Sequence, residues 1–165
     1  MSGTLIRSFA MEWNTALESF GSSLGIDGLV PDADGSCSLL FDGENEVTFT
    51  HDEEDHSLLL YCEIGSAASL SKDASLALLK ASLLGAETGG AALSVHGALD
   101  SVVLWKRYDD NALTPETMKI AVNGFLAQVA AWKKRLAELC AAPGVEESPS
   151  ESSSLDTMSN FGMFV

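Results

Sequence analysis

Positive charge is what this chain lacks most. Its 165 residues hold 9 lysines and arginines against 24 aspartates and glutamates, for a net charge of -15. That balance argues against nucleic acid and against an anionic membrane as partners, because both would be repelled. Cysteine is nearly as scarce. Cys37, Cys62 and Cys140 are odd in number, widely spaced and form no Cys-x-x-Cys pair, which argues against a disulfide framework and a zinc site and leaves them as small buried hydrophobes. No apolar run reaches the roughly 18 residues of a spanning helix. The stretch from Met1 to Glu12 has no basic region followed by an apolar core and a small-residue cleavage site, so no signal peptide is expected and the cytoplasm is the expected compartment.

What is present is a chain able to bury one core. A hydrophobic content of 46% over this length suits a single folded domain rather than a disordered segment. The acids are also unevenly placed. Between Asp27 and Glu63 there are eleven of them and no lysine or arginine, so the natural partner of that surface is a basic or neutral protein segment, with plain solubility as the competing explanation.

Periodicity divides the chain into a helix, three strands, a helix, two strands and a helix. Phe9, Trp13, Ala16, Leu17, Phe20 and Leu24 recur at helical spacing, predicting a first helix over about 3–24 that Gly21 and Gly25 bring to a stop. Cys37, Leu39 and Phe41 alternate with Ser38, Leu40 and Asp42, and Val47 and Phe49 with Thr48 and Thr50, with a turn at Asp42 to Asn45. Leu58 to Ile64 is more continuously apolar and reads as the central strand. Ala91 to Val95 and Ser101 to Tyr108 are two further strands. Thr114 caps a final helix with Pro115 at its first position, and Met118, Val122, Phe125, Val129, Trp132, Leu136 and Leu139 form its stripe. The fold class is therefore α+β.

The second helix carries the strongest signal. Leu76, Ala77, Leu78, Leu79, Ala81, Leu83 and Leu84 leave only Lys80 and Ser82 to face water, up to a stop near Gly85. Apolar residues beyond one stripe require burial on more than one side. One sheet face can cover one side; the other needs a second molecule.

Nothing in the pattern supports catalysis or a cofactor. His51 and His56 flank Asp52 to Asp55, but with neither EF-hand nor zinc spacing, and the cluster reads as a solvated turn; His96, beside Gly97, reads as a turn residue too. Gly89 and Gly90 follow a helix rather than precede one, and no Gly-x-Ser-x-Gly occurs. Domain organisation is read as one domain over 1–142 and a Ser- and Glu-rich C-terminal tail over 143–165, expected to be disordered. Its apolar end, Phe161, Met163, Phe164 and Val165, suits either a docking motif or a segment folding back on the domain.

The order of elements, carried by these residues, resembles the class I type III secretion chaperones, the Tir-chaperone (CesT-like) family. The likeness covers about Leu17 to Leu139. It rests on Leu17, Phe20, Gly21, Leu24, Gly25 and Ile26; on Gly35, Cys37, Leu39 and Asp42; on Leu78, Leu79, Ser82, Leu83, Thr88, Gly89, Gly90 and Ala91; and on Val103, Leu104, Phe125 and Trp132. Ser82 stands where the family commonly has Asn. The resemblance implies a small acidic homodimer in the bacterial cytoplasm, without enzymatic activity or cofactor, that binds the N-terminal region of secreted effectors in extended form, with the secretion-system ATPase as a further partner. Pairing is expected through Leu76, Leu79, Leu83, Leu93 and Val95. Effector contact is expected from Trp13, Leu17, Phe20, Leu39, Phe41, Val47, Phe49 and Trp105, each with ordinary core packing as the alternative. Two rival functions use the same scaffold size and charge. One is a regulatory protein that sequesters an inhibitor of a transcriptional regulator; the other is an acidic immunity or inhibitor protein.

Overall fold

Alternation along three consecutive strands, joined by tight turns, dictates an antiparallel meander, and the computed structural model, which describes residues 13–141, contains it. Strands β1 (Ser36–Phe41), β2 (Asn45–Asp52) and β3 (Ser57–Ser66) pair in sequence order. The first turn has Asp42 and Gly43 at φ 53° and 73° and is closed by the Glu44 N–H donating to the Phe41 carbonyl at 3.1 Å. Positive φ at successive turn residues matches the right-handed twist of the hairpin strands.

Two more strands complete the sheet. β4 (Ala92–His96) and β5 (Ser101–Asp109) form a hairpin whose β5 pairs with β3, giving the order β1-β2-β3-β5-β4 with β3 at the centre. The central position suits the continuously apolar run that β3 carries. Among the described residues no strand pairs with the outer side of β1 or of β4.

One face of the sheet is the core. Val47 and Phe49, then Leu58, Leu60, Cys62 and Ile64, then Leu93, Val102 and Leu104 pack beneath the helices. Helix α1 (Trp13–Ser23) contributes Ala16, Leu17 and Phe20, and α3 (Pro115–Ala141) contributes the expected stripe from Met118 to Leu136. Burying each such large side chain is worth about 1.5–3 kcal/mol. Thr114 caps α3 as expected, its Oγ1 accepting from the Thr117 N–H at 3.2 Å. At Gly65, where the β3–β5 register shifts, an added Cβ would lie 2.7 Å from Leu136 Cδ2, so the glycine lets α3 approach the sheet.

The second helix differs from expectation. α2 runs over Lys72–Ala81 and ends there rather than near Gly85, and Leu83–Gly85 form a separate 3-10 turn. Its start follows the sequence, with Ser71 Oγ accepting from the Ala74 N–H at 3.1 Å. Its end is broken by Leu84, which holds φ 54°, a left-handed conformation uncommon for a bulky residue. The part of the first helix expected before Trp13 and the tail after Ala141 lie outside the described residues.

Candidate functional site

Side chains that a folded chain leaves apolar and uncovered are where a binding protein works, and three such surfaces occur here. The first is the seam formed by α2, the 3-10 turn and β4. Only Ala74, Leu78 and Ala81 of α2 are buried. On the open side Leu76, Leu79, Leu83 and Leu84 are 46%, 68%, 67% and 95% exposed, with Val95 of β4 at 54% beside them. A cleft of about 180 Å³ between helix and strand is lined by Leu70, Leu78, Leu79, Leu93 and Val95 among others. Leu93 itself points into the core at 9% exposure. It also lines the cleft, so it forms the floor of the seam rather than its rim. Ser82 Oγ accepts from the Leu93 N–H at 3.0 Å and fixes the end of α2 to β4.

The second surface is the sheet face opposite the core. Cross-strand neighbours Tyr61 and Trp105, with Leu59, Val103 and Leu99, line an open apolar groove of about 530 Å³. Trp105 is half-buried there, its Nε1 donating to Ser94 Oγ at 2.8 Å.

The third surface follows β1, an outer strand of the sheet. Leu39 and Phe41 are half-buried and Leu40 is 64% exposed. Beyond the start of β1 lies a hollow of about 490 Å³ whose lining includes Trp13, Pro31, Asp32, Asp34, His51 and Glu53. Trp13 lies on His51 with ring centroids 5.4 Å apart and planes 15° from parallel. His51 is not part of a solvated turn, as the sequence suggested; it lies within β2, half-buried, with Nε2 3.0 Å from Asp110 Oδ2. His56, in the turn, lies 3.7 Å from the same oxygen. This His-His-Asp-Trp group was not anticipated. Asp110 is remote in sequence from His51, and only the β2-β3-β5 order brings them together.

Four of the expected effector contacts belong elsewhere. Leu17, Phe20, Val47 and Phe49 have no exposed surface, and Phe20 packs on Phe49 at 5.8 Å between ring centroids. A side chain with no exposed area offers a partner nothing, so these residues shape the core. Trp13, Leu39, Phe41 and Trp105 do reach the surface. His96 ends β4, its Nδ1 accepting from the Leu99 N–H at 3.3 Å. Of the cysteines, Cys37 and Cys62 are buried and Cys140 is exposed, the last against expectation. Burial pushes the Cys37 and Cys62 thiols up from their ordinary range and does the same to the Tyr108 hydroxyl. Among the described residues no group of three or more His, Cys, Asp or Glu is placed to hold a metal ion, and no helix is long and apolar enough to cross a membrane.

Three helices on one face of a five-stranded antiparallel sheet define a fold shared with solved chaperone complexes. The chain belongs to the Tir chaperone protein (CesT) family, whose model matches residues 15–133. It is similar to a chain in the crystal structure of the ExsC-ExsE complex, at TM-score 0.70 and 22% identity, covering 78% of this chain and 96% of that one. A chain of the HopA1-SchA chaperone-effector complex is similar at TM-score 0.65 and 22% identity, covering 74% and 93% respectively. A chain of the heterodimeric ExoU-SpcU complex, from the type III secretion system of Pseudomonas aeruginosa, follows at 0.57 and 19%, covering 74% and 96%. A comparison with curated protein sequences found no match.

Proposed function

We propose that this protein is a type III secretion chaperone that acts in the bacterial cytoplasm. It works as a homodimer and holds the N-terminal region of one or more effectors in extended form, soluble and ready for export. The observation that carries this reading is the family match over 15–133 on a chain whose apolar surplus lies at both sheet edges. The two edges serve two tasks. The α2–β4 seam supports self-pairing, because a leucine row beside an unpaired strand is self-complementary about a two-fold axis. The β1 edge supports strand addition by a client segment, with backbone hydrogen bonds for affinity and side-chain hollows for selection.

The reading assigns no catalytic step. Acid-rich surroundings between Asp27 and Glu63 draw a basic segment in and speed its encounter. The protein would then hand its client to the secretion-system ATPase.

Co-expression with proteins encoded beside it, followed by capture and limited proteolysis, tests the function. A protected effector N-terminal fragment bound to a dimer is the expected result. Recovery of a folded toxin or of a small regulatory protein instead would replace the reading with one of its two rivals.

A further inference from the structure

The hollow at the start of β1 combines an aromatic wall with carboxylates. Trp13 and Pro31 supply apolar lining, Asp32, Asp34 and Glu53 supply negative charge, and among the described residues no lysine or arginine lines it. Asp32 is held in place, its Oδ1 accepting from the Asp34 and Ser36 N–H groups at 3.0 and 2.9 Å. Behind His51 stands a further carboxylate, Asp110. The nearest part of the sequence offers little permanent positive charge to neutralise these carboxylates: before Lys72 there is one lysine or arginine, Arg7. A space of about 490 Å³ accommodates one long side chain with room for water.

We propose that this hollow receives the guanidinium of an arginine on the bound client segment. Arginine fits better than lysine because its planar head stacks on an indole while its stem covers apolar wall and its N–H groups reach carboxylates. The placement also sets a spacing. Cys37, Leu39 and Phe41 are on the core face of β1, and Gly35, which lines the hollow, precedes them on the same two-residue period. A segment paired along the free edge of β1 would put its arginine about four residues from the apolar side chain that lies opposite Leu39. The inference rests on the chaperone reading and adds the side chain that the site selects.

The test uses the full chain and two small probes, N-acetyl-arginine amide and its neutral near-isostere N-acetyl-citrulline amide, followed through the Trp13 indole N–H by NMR. The expected result is a saturable shift with arginine, at least about fivefold weaker with citrulline, lost in Asp34→Asn/Glu53→Gln, and falling with salt as a charge-driven contact does. Both substituted carboxylates are exposed, so the double variant should keep its fold. Equal response to the two probes, or none up to about 20 mM, where even a millimolar contact saturates, overturns the proposal. So does an Arg7→Gln variant that binds the probe when the wild type does not, because the chain's own N-terminal segment would then be the occupant. Arginine binding by a protein that captures no extended effector would remove the chaperone reading and leave the hollow's selectivity standing; effector capture without arginine binding would remove the hollow alone.

Discussion

Ser82 Oγ accepts a hydrogen bond from the Leu93 N–H at 3.0 Å, joining the residue that ends α2 to an edge strand eleven positions further on. The bond holds the leucines of α2 and the 3-10 turn in one line with β4. Ser82→Ala should therefore cost about 1 kcal/mol, the net worth of one such bond, and lower the melting temperature by about 3 °C. Ser82→Asn, which restores an acceptor, should lose less. Equal losses in both would show that the hydroxyl does not fasten the seam.

Charge placed on the seam should separate the proposed dimer. Leu79→Glu and Leu83→Glu change side chains that are mostly exposed in one chain, so they should leave its fold intact while turning the dimer into monomer by sedimentation. A stable pair buries about 1,200–2,000 Å² in total. Wild-type protein that sediments as a monomer at micromolar concentration would rule the pairing out.

The three cysteines should report burial chemically. Thiolate is the reactive form, and burial raises the thiols of Cys37 and Cys62 while Cys140 is exposed. In native protein, Ellman's reagent should modify Cys140 quickly and the other two at the rate of unfolding. Fast modification of Cys62 would mean that the sheet opens beneath α3.

Stability should fall on the alkaline side. The thiols of Cys37 and Cys62 and the Tyr108 hydroxyl all have raised values in the folded chain, chiefly through desolvation. A group raised by folding contributes stability that is complete below its unfolded value and is lost as pH climbs through the folded one. Thermal melts should hold steady up to about pH 8 and decline above it, near the ordinary thiol range. Cys62→Ala, though less stable throughout, should flatten part of that decline.

Removal of residues 143–165 should change the melting temperature little, because the Ser- and Glu-rich run from Glu146 to Ser154 has too little apolar area to offset the entropy of ordering it. A drop of about 5 °C or more, or about 2 kcal/mol for a domain of this size, would make the tail part of the fold.

Much of this architecture was legible because each element carries a clear period. Alternation placed β1 and β2, a continuous apolar run placed the central β3, and Thr114-Pro115 placed the start of α3. The seam was legible in part. Seven apolar residues in nine announced an uncovered surface, yet the end of α2 at Ala81 depends on Leu84 adopting φ 54°, and the local sequence rates leucine as a helix former. Separating groove from core was harder still. Phe41 and Phe49 sit on similar alternating strands, but Phe49 lies beneath α1 and Phe41 at the rim, a difference set by where a helix lands. The His51–Asp110 contact had no local signal because three strands must pair before it exists.

The uncovered leucine row has a consequence for the life of a newly made chain. An edge strand with apolar surface on both sides is a template for any other unpaired strand, including the wrong one. Under the proposed pairing, a solitary subunit is exposed to proteases and to chance partners during the interval before it meets a second copy, and that interval lengthens as copies become fewer. Supply of the working form should then rise more steeply than the rate of synthesis, giving a cell a threshold at which this protein becomes available. Leu84, held in a left-handed turn at 95% exposure, is the most exposed side chain of that row and has the most surface to gain from the proposed pairing.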